Sequence, residues 1–160
     1  MKSYYRMQFL HEYDEILYPL CKAISGFCMK SEFWFLPEKS LEWHVPADAD
    51  FSFLHCYHIK EAVPVYSETL WNDIAGIIET DGIFTIPVTI RYRGEQHLYH
   101  IAVPSKIRCC DAHGHLTPRL TGRYAMFRPV SGSTVYITEA LAGLFRKVSG
   151  LKLQGVDTIG

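Results

Sequence analysis

The feature that most constrains the fold is the C-terminal segment, residues 123–160, in which predicted elements follow one another almost without linkers. Two apolar runs, 124–127 and 134–137, flank a Pro-Val-Ser-Gly-Ser stretch. Short runs rich in β-branched and aromatic residues on either side of Ser-Gly are typical of a β-hairpin. The segment is therefore expected to begin with two antiparallel strands.

A helix is expected directly after this hairpin. Thr138 occupies the position at which a side-chain oxygen caps the first turn, and apolar residues recur at i, i+3, i+4 and i+7 over 141–148. Gly150 is expected to end the helix, and alternating apolar and polar residues over 151–156 predict a last strand. The pattern predicts a strand, strand, helix, strand unit.

A second amphipathic helix is predicted from residue 68 to about residue 80, with Ser67 as its N-cap. Its apolar residues form one stripe, which is typical of a helix that packs on a core. The stripe consists of Leu70, Trp71, Ile74, Ile77 and Ile78.

Short apolar runs separated by tight turns precede and follow this helix. Consecutive strands with short connections pair antiparallel, because parallel strands need long crossovers. The predicted class is therefore α+β, with a largely antiparallel sheet and two main amphipathic helices packed on it. Pro87 cannot donate to a ladder, so it is expected at an edge or a bulge. The predicted strands outside the C-terminal segment are 4–9, 33–35, 83–90, 97–103 and 106–111, and further apolar runs lie at 41–45 and 51–59.

Length and composition predict a single globular domain. A chain of 160 residues buries ~70% of its unfolded surface, and 48% hydrophobic with 21% charged residues is typical of globular proteins. We expect one α+β domain over 1–160, less regular over 1–62 and more regular over 63–160. The N-terminus lacks a signal peptide and no apolar run approaches the ~20 residues that cross a bilayer, which predicts a cytoplasmic protein without a membrane partner.

Five motifs in the second part of the chain carry a resemblance to a known family: residues 67–71, 81–83, 126–128, 135–141 and 150–156. Together they resemble, over roughly 65–160, the C-terminal module of bacterial immunity proteins from polymorphic and secreted toxin systems. The resemblance implies a protein that binds and neutralises a cognate toxin or effector in bacterial competition. It implies no catalytic residues and leaves the toxin open.

The charge distribution suggests where such a partner binds. Residues 1–80 hold 12 acids and 6 Lys or Arg, whereas residues 81–160 hold 5 acids and 10 Lys or Arg. Acids in predicted turns beside aromatic residues suit a basic partner, although an ordinary solvated face explains the same count. The predicted partner-binding residues are Glu12, Tyr13, Asp14, Glu15, Trp43, Asp48 and Asp50.

The strongest alternative is a Cys/His-dependent enzyme or a metal-binding protein. The cluster 55–58 contains His55, Cys56 and His58, and imidazole and thiolate are zinc ligands that Cys109, Cys110 and Asp111 could complete. However, His55 and His58 are expected on opposite faces of an extended segment, as are the adjacent Cys109 and Cys110. We therefore expect reduced thiols, no metal, no cofactor and no enzymatic activity.

Nucleic-acid binding is a weaker alternative. Basic residues interleave with Tyr92, Tyr99 and Tyr124, a pattern in which cations follow a phosphate backbone while aromatic rings stack on bases. A sequence pI near 6.7 favours a solvated sheet face instead, so no nucleic-acid partner is expected. The basic residues are Arg91, Arg93, Lys106, Arg108, Arg119, Arg123 and Arg128.

Overall fold

The computed structural model describes residues 3–9, 16–17, 41–59, 63–78, 83–122, 124–130, 132, 134–148 and 150–158. The described part of the chain contains ten strands and three helices, which confirms the predicted α+β class. The strands are β1 (Tyr4–Phe9), β2 (Leu41–His44), β3 (Cys56–Ile59), β4 (Val63–Ser67), β5 (Phe84–Tyr92), β6 (Glu95–Val103), β7 (Ser105–Ile107), β8 (Met126–Pro129), β9 (Tyr136–Thr138) and β10 (Leu151–Val156). The helices are α1 (Glu68–Ile78), α2 (Pro118–Thr121) and α3 (Glu139–Phe145).

The strands form two five-stranded sheets instead of the single sheet predicted. The first sheet has the order β10-β1-β9-β8-β7 and the second has the order β2-β5-β6-β4-β3. The chain passes from the second sheet to the first at Pro104, the only residue between β6 and β7. Proline has no N–H to extend a ladder, so β6 ends there and a new pairing begins.

Most strand pairs are antiparallel, as predicted. Two pairs are parallel, β2 with β5 and β7 with β8. The strand predicted over 106–111 is shorter, because after β7 the chain makes only an isolated bridge between Cys110 and Leu116. The strand predicted over 33–35 lies outside the described residues. Pro87 lies in β5 opposite His100 of β6, and the described pairing with β2 begins one residue later, at Val88. The proline therefore lies where β5 has a described partner on one side only.

The predicted C-terminal unit is present, and it is completed by the N-terminus. β8 and β9 form the hairpin, α3 follows and β10 closes the unit. β10 does not pair with the hairpin, however, because β1 lies between β9 and β10. Tyr4 pairs with Thr138 on one side and Val156 on the other.

Three cores alternate with the two sheets. On β6, Tyr99, Ile101 and Val103 point into the first core while Ala102 points into the second, because successive side chains of a strand alternate between its faces. On β8, Met126 points into the second core and Phe127 into the third. Both faces of each sheet are therefore covered where these residues lie.

The second core joins the two sheets and the two longer helices. Met7 of the first sheet and Tyr66 of the second both belong to it. The buried apolar residues of α1 and α3 all point into this core: Leu70, Ile74, Ile78, Leu141, Ala142 and Phe145.

The first helix matches its prediction at the N-terminus and at the centre of its stripe. Ser67 Oγ accepts a hydrogen bond from the backbone N–H of Leu70 at 3.3 Å, which confirms the N-cap. Ile74 is fully buried, but Ile77 is 39% exposed and Trp71 is half-buried. These two residues lie three positions from Ile74, about 60° to either side of it, so they mark the edges of the stripe.

The third helix is shorter than predicted. It ends at Phe145, where the backbone hydrogen-bonding pattern changes. Arg146 N–H donates to the Ala142 carbonyl, four residues back, whereas Val148 N–H donates to the Phe145 carbonyl, only three residues back. Such tightening is common at the carboxyl end of a helix. Thr138 is at the N-cap position with extended backbone, but its side chain makes no capping hydrogen bond.

Candidate functional site: an acidic loop and the groove beside it

The loop after β2, residues 46–50, is tied down through its carbonyl groups. Ala49 N–H donates to the Pro46 carbonyl at 3.0 Å. Arg93 Nε donates to the Ala47 carbonyl at 2.8 Å, and the Tyr92 hydroxyl donates to the Ala49 carbonyl. Because these donors come from the end of the β5–β6 hairpin, the loop has a defined position on the second sheet.

Phe51 anchors the far end of this loop. Its side chain is buried in the first core, stacked on Tyr57 with ring centroids 5.6 Å apart and edge-on to Tyr92 at 5.3 Å. Aromatic contacts of this kind stabilise beyond the area they bury. The acidic loop is therefore held at both ends.

Asp48 and Asp50 project from the anchored loop. Both side chains are exposed, and among the described residues neither carboxylate has an ion-pair partner. Two negative charges therefore lie on the surface of an anchored loop, and the partner binding predicted for these positions stays a prediction.

Of the other predicted partner-binding residues, four lie outside the described part of the chain and one is buried. Glu12, Tyr13, Asp14 and Glu15 lie outside the described residues. Trp43 is only 3% exposed and belongs to the first core. As a residue of β2 paired in register with Ile90 of β5, it points into the sheet's buried face. Trp43 therefore serves the core and does not present a surface anchor, which corrects the prediction for this residue.

A groove lies directly after the acidic loop in sequence. Its volume is about 260 Å³, and Phe53 forms part of its wall against the ring of His97, with centroids 4.2 Å apart. The Tyr99 hydroxyl donates to the Leu54 carbonyl at 2.8 Å, and burial raises the pKa of Tyr99 to about 12. The groove is lined by Phe53, Leu54, His55, Ser67, Glu68, Thr69, His97, Leu98 and Tyr99.

His55 and Ser67 meet inside this groove. His55 Nδ1 lies 2.8 Å from Ser67 Oγ, and Ser67 N–H donates to the His55 carbonyl at 2.8 Å. The two residues directly extend the β3–β4 register, in which Cys56 pairs with Tyr66. The sequence predicts Ser67 as a helix cap and His55 as part of a candidate metal cluster, but it does not predict their contact. That contact depends on the antiparallel pairing of β3 with β4.

The cluster 55–58 does not form a metal centre among the described residues. Cys56 points into the second core, where burial raises the pKa of its thiol. His58 is buried, whereas His55 is exposed and bonded to Ser67. Within the described ranges, no group of three or more His, Cys, Asp or Glu side chains is arranged to hold a metal ion.

Cys109 and Cys110 are close to each other, contrary to the prediction that they point apart. Their Sγ atoms are 3.7 Å apart, because the backbone between β7 and the Cys110–Leu116 bridge is not a regular strand. Burial, together with the neighbouring thiol of Cys110, raises the pKa of Cys109 to about 12. No disulfide joins the two in the described part of the chain.

Several of the basic residues considered for nucleic-acid binding are engaged within the chain. Arg91 pairs with Glu42 at 2.9 Å and lowers the pKa of that carboxyl. Arg128 is fully buried and donates from Nε to the Pro104 carbonyl at 3.0 Å. Arg93 holds the acidic loop, as described above. Arg123 lies outside the described residues.

None of the helices in the described part of the chain is long and apolar enough to span a membrane. No protein-family model matches the chain, and no curated protein matches it.

Proposed function

We propose that this chain is an immunity protein that binds and neutralises a cognate bacterial toxin or effector. The resemblance of residues 65–160 to the immunity family supports the proposal. A partner-binding role needs an accessible surface with defined shape and charge. The described residues contain such a surface in the acidic loop and the groove that follows it.

The observation that carries the proposal is the anchored acidic loop. Asp48 and Asp50 are exposed, while the carbonyl groups of Ala49, between them, and of Ala47, just before them, are held by Tyr92 and Arg93. A loop that is already ordered loses less conformational entropy when a partner binds. Unpaired carboxylates on such a loop also attract a basic partner and accelerate encounter. The proposed partner is therefore a toxin with a basic docking surface.

The charge distribution gives further support. The first half of the chain has a net charge of -6 and the second half a net charge of +5 at pH 7. The exposed carboxylates of Asp48 and Asp50 attract a basic partner over distances comparable to the Debye length, ~8 Å at physiological salt. We place the protein in the cytoplasm, where a producing cell would meet the toxin before export.

Co-purification tests the proposal. The reading frame next to the gene is inspected for a secreted-toxin architecture, and its toxic domain is co-expressed with the tagged chain. A stoichiometric complex on size-exclusion chromatography, together with rescue of growth, is the expected result. A folded chain that neither binds nor protects against that toxic domain would show that the proposal is wrong.

A catalytically inactive variant of the toxic domain separates binding from toxicity. It should still form the complex with the chain. If growth is rescued without a complex, the chain acts by some means other than stoichiometric neutralisation.

A further inference from the structure

We propose that Ser67 and His55 form a nucleophile–base pair at an acyl-transfer site in the groove. His55 Nδ1 lies 2.8 Å from Ser67 Oγ, within the distance over which a general base removes a hydroxyl proton. The site needs no partner protein, so it goes beyond the proposed immunity function. The toxin-binding proposal rests on the charges of the acidic loop and gives no chemical role to His55 or Ser67.

The backbone holds the two side chains in this arrangement. Ser67 ends β4 and caps α1, and its N–H donates to the His55 carbonyl at 2.8 Å. Both residues therefore lie on one hairpin with fixed register. A pair positioned by strand pairing is more precise than one positioned by a free loop.

The capping role of Ser67 is compatible with nucleophilic attack. A hydroxyl oxygen accepts through its lone pairs and donates its own proton at the same time. Ser67 Oγ accepts from Leu70 N–H at 3.3 Å, a long bond, and its proton is free to point at His55 Nδ1. With the imidazole proton on Nε2, which faces away from Ser67, Nδ1 is the acceptor.

The first turn of α1 borders the groove beside Ser67, since Glu68 and Thr69 both line it. The first N–H groups of a helix have no acceptor within it, and backbone N–H groups directed at a developing oxyanion stabilise an acyl-transfer transition state. The proposed site takes its oxyanion donors from this turn, next to the nucleophile in sequence.

The walls of the groove define the substrate class. Phe53 and Leu98 give an apolar surface in a volume of about 260 Å³, which suits a small acyl chain. Glu68 lines the groove and Glu95 lies 3.5 Å from His97, so an anionic substrate is disfavoured. The substrate class is a neutral or cationic ester with a short apolar acyl group.

The reaction balances with water as the only co-reactant. Ser67 Oγ forms a bond to the acyl carbon while its proton passes to His55 Nδ1, and the bond from the acyl carbon to the leaving oxygen breaks as that oxygen takes the proton. Water then attacks the acyl-serine and gives a proton to His55, which returns it to Ser67 Oγ. The products are a carboxylic acid and an alcohol.

A fluorophosphonate probe followed by intact-mass spectrometry and peptide mapping tests the site. The expected result is one adduct per chain, located on Ser67. Ser67→Asn removes the hydroxyl but keeps an oxygen able to cap α1, and it should abolish the adduct without unfolding the helix. Ser67→Thr retains a hydroxyl and should retain labelling. His55→Gln should slow labelling by ~10²-fold or more, since general-base assistance contributes ~10²–10⁴-fold.

Ser52→Ala is the matched control, because Ser52 is an exposed serine in the same stretch of chain. It should label like the parent protein. The proposal is wrong if the parent forms no adduct, if Ser67→Asn labels as fast as the parent, or if the adduct is spread over exposed serines. A burst of p-nitrophenol from p-nitrophenyl acetate, absent in Ser67→Asn, gives a second readout.

Discussion

Tyr4, four residues from the N-terminus, pairs in register with Val156, five residues from the C-terminus. β1 thereby separates the last strand from the hairpin that precedes it in sequence. The unit that looks local in the sequence is held together by a strand from the other end of the chain. Its stability should therefore depend on residues far outside it.

Replacing Tyr4 should destabilise the C-terminal unit. Tyr4 is 1% exposed, packs edge-on against Phe127 and hydrogen-bonds with Thr121. Tyr4→Ala should lower the free energy of unfolding by ~3–5 kcal/mol, as expected for removal of a buried aromatic ring. Urea unfolding measures the change. Gln8→Ala, at an exposed site of the same strand, should change it by less than ~0.5 kcal/mol, and equal effects would show that Tyr4 is not in a packed core.

Residues at the centre of the apolar stripe of α1 should contribute more to the free energy of unfolding than residues at its edge. Ile74 is fully buried, whereas Ile77 is 39% exposed. Ile74→Ala should cost ~2–5 kcal/mol, and Ile77→Ala should cost less than ~1 kcal/mol because little apolar area is lost. Thermal melts of the two variants check the difference. If Ile77→Ala is the more destabilising variant, the helix is rotated relative to the arrangement described.

The two N-cap positions should respond differently to alanine. Ser67 Oγ accepts from Leu70 N–H, whereas the Thr138 side chain makes no capping bond. Ser67→Ala should cost ~1 kcal/mol, and Thr138→Ala should be nearly neutral. Chemical denaturation of both variants, with the parent as reference, distinguishes them. Equal losses would mean that Thr138 also caps its helix in solution.

The contact between α3 and β1 should make stability depend on pH. Arg146 donates to both carboxylate oxygens of Glu139 at 2.8 and 3.3 Å, and the Tyr5 hydroxyl donates to the same carboxylate. The Arg146 hydrogen bond first, and that from Tyr5 second, hold the pKa of Glu139 below its ordinary value of 4.5. A depressed carboxyl pKa stabilises the fold above pH 4.5, and this contribution is lost as pH falls through the folded pKa.

Glu139→Gln tests this dependence. The variant should be less stable than the parent at pH 7, and the difference should shrink in acid, because the parent carboxyl is then protonated too. Urea midpoints over a pH series measure it, with Asp73→Asn on the exposed face of α1 as control. A difference between Glu139→Gln and the parent that stays constant with pH would exclude the carboxylate charge as its cause.

Reversing the charges of the acidic loop should slow association with the toxin. Asp48 and Asp50 are exposed and outside the core, so changing both to Lys should lower the association rate and its salt dependence while leaving the melting temperature nearly unchanged. Surface plasmon resonance at two salt concentrations measures the rates. Changing Asp73 and Asp157 to Lys alters the net charge equally and is the control. Equal slowing by both pairs would show that only net charge matters.

Local patterns predicted the secondary structure of the described regions well. The strands over 4–9 and 151–156 have the predicted bounds, because alternation and flanking breakers define a strand within a few residues. The cap at Ser67 is likewise a short-range property. The partial exposure of Ile77 was not predicted, because the sequence of a helix does not show how much of its apolar stripe the rest of the protein covers.

The candidate site was only partly predictable. The exposure of Asp48 and Asp50 was predictable, because acidic residues after a proline favour a solvent-facing loop, whereas their partner binding stays a prediction. Trp43 was placed on the surface because an aromatic residue suits an interface as well as a core, and only packing decides which. His55 and Ser67 are 12 residues apart, so their contact depends on the register of β3 and β4.

The sequence by itself determined the bounds of the first and last strands, the residue at which α1 begins, and the α+β class. Those properties depend on residues within a few positions of one another. Only the tertiary structure decided that there are two sheets, that β1 separates β10 from β9, and that Arg128 is buried beside Pro104. The physical reason is that strand pairing and burial depend on contacts between segments far apart in the sequence. The free energy of those contacts cannot be estimated from residues that are neighbours in the sequence.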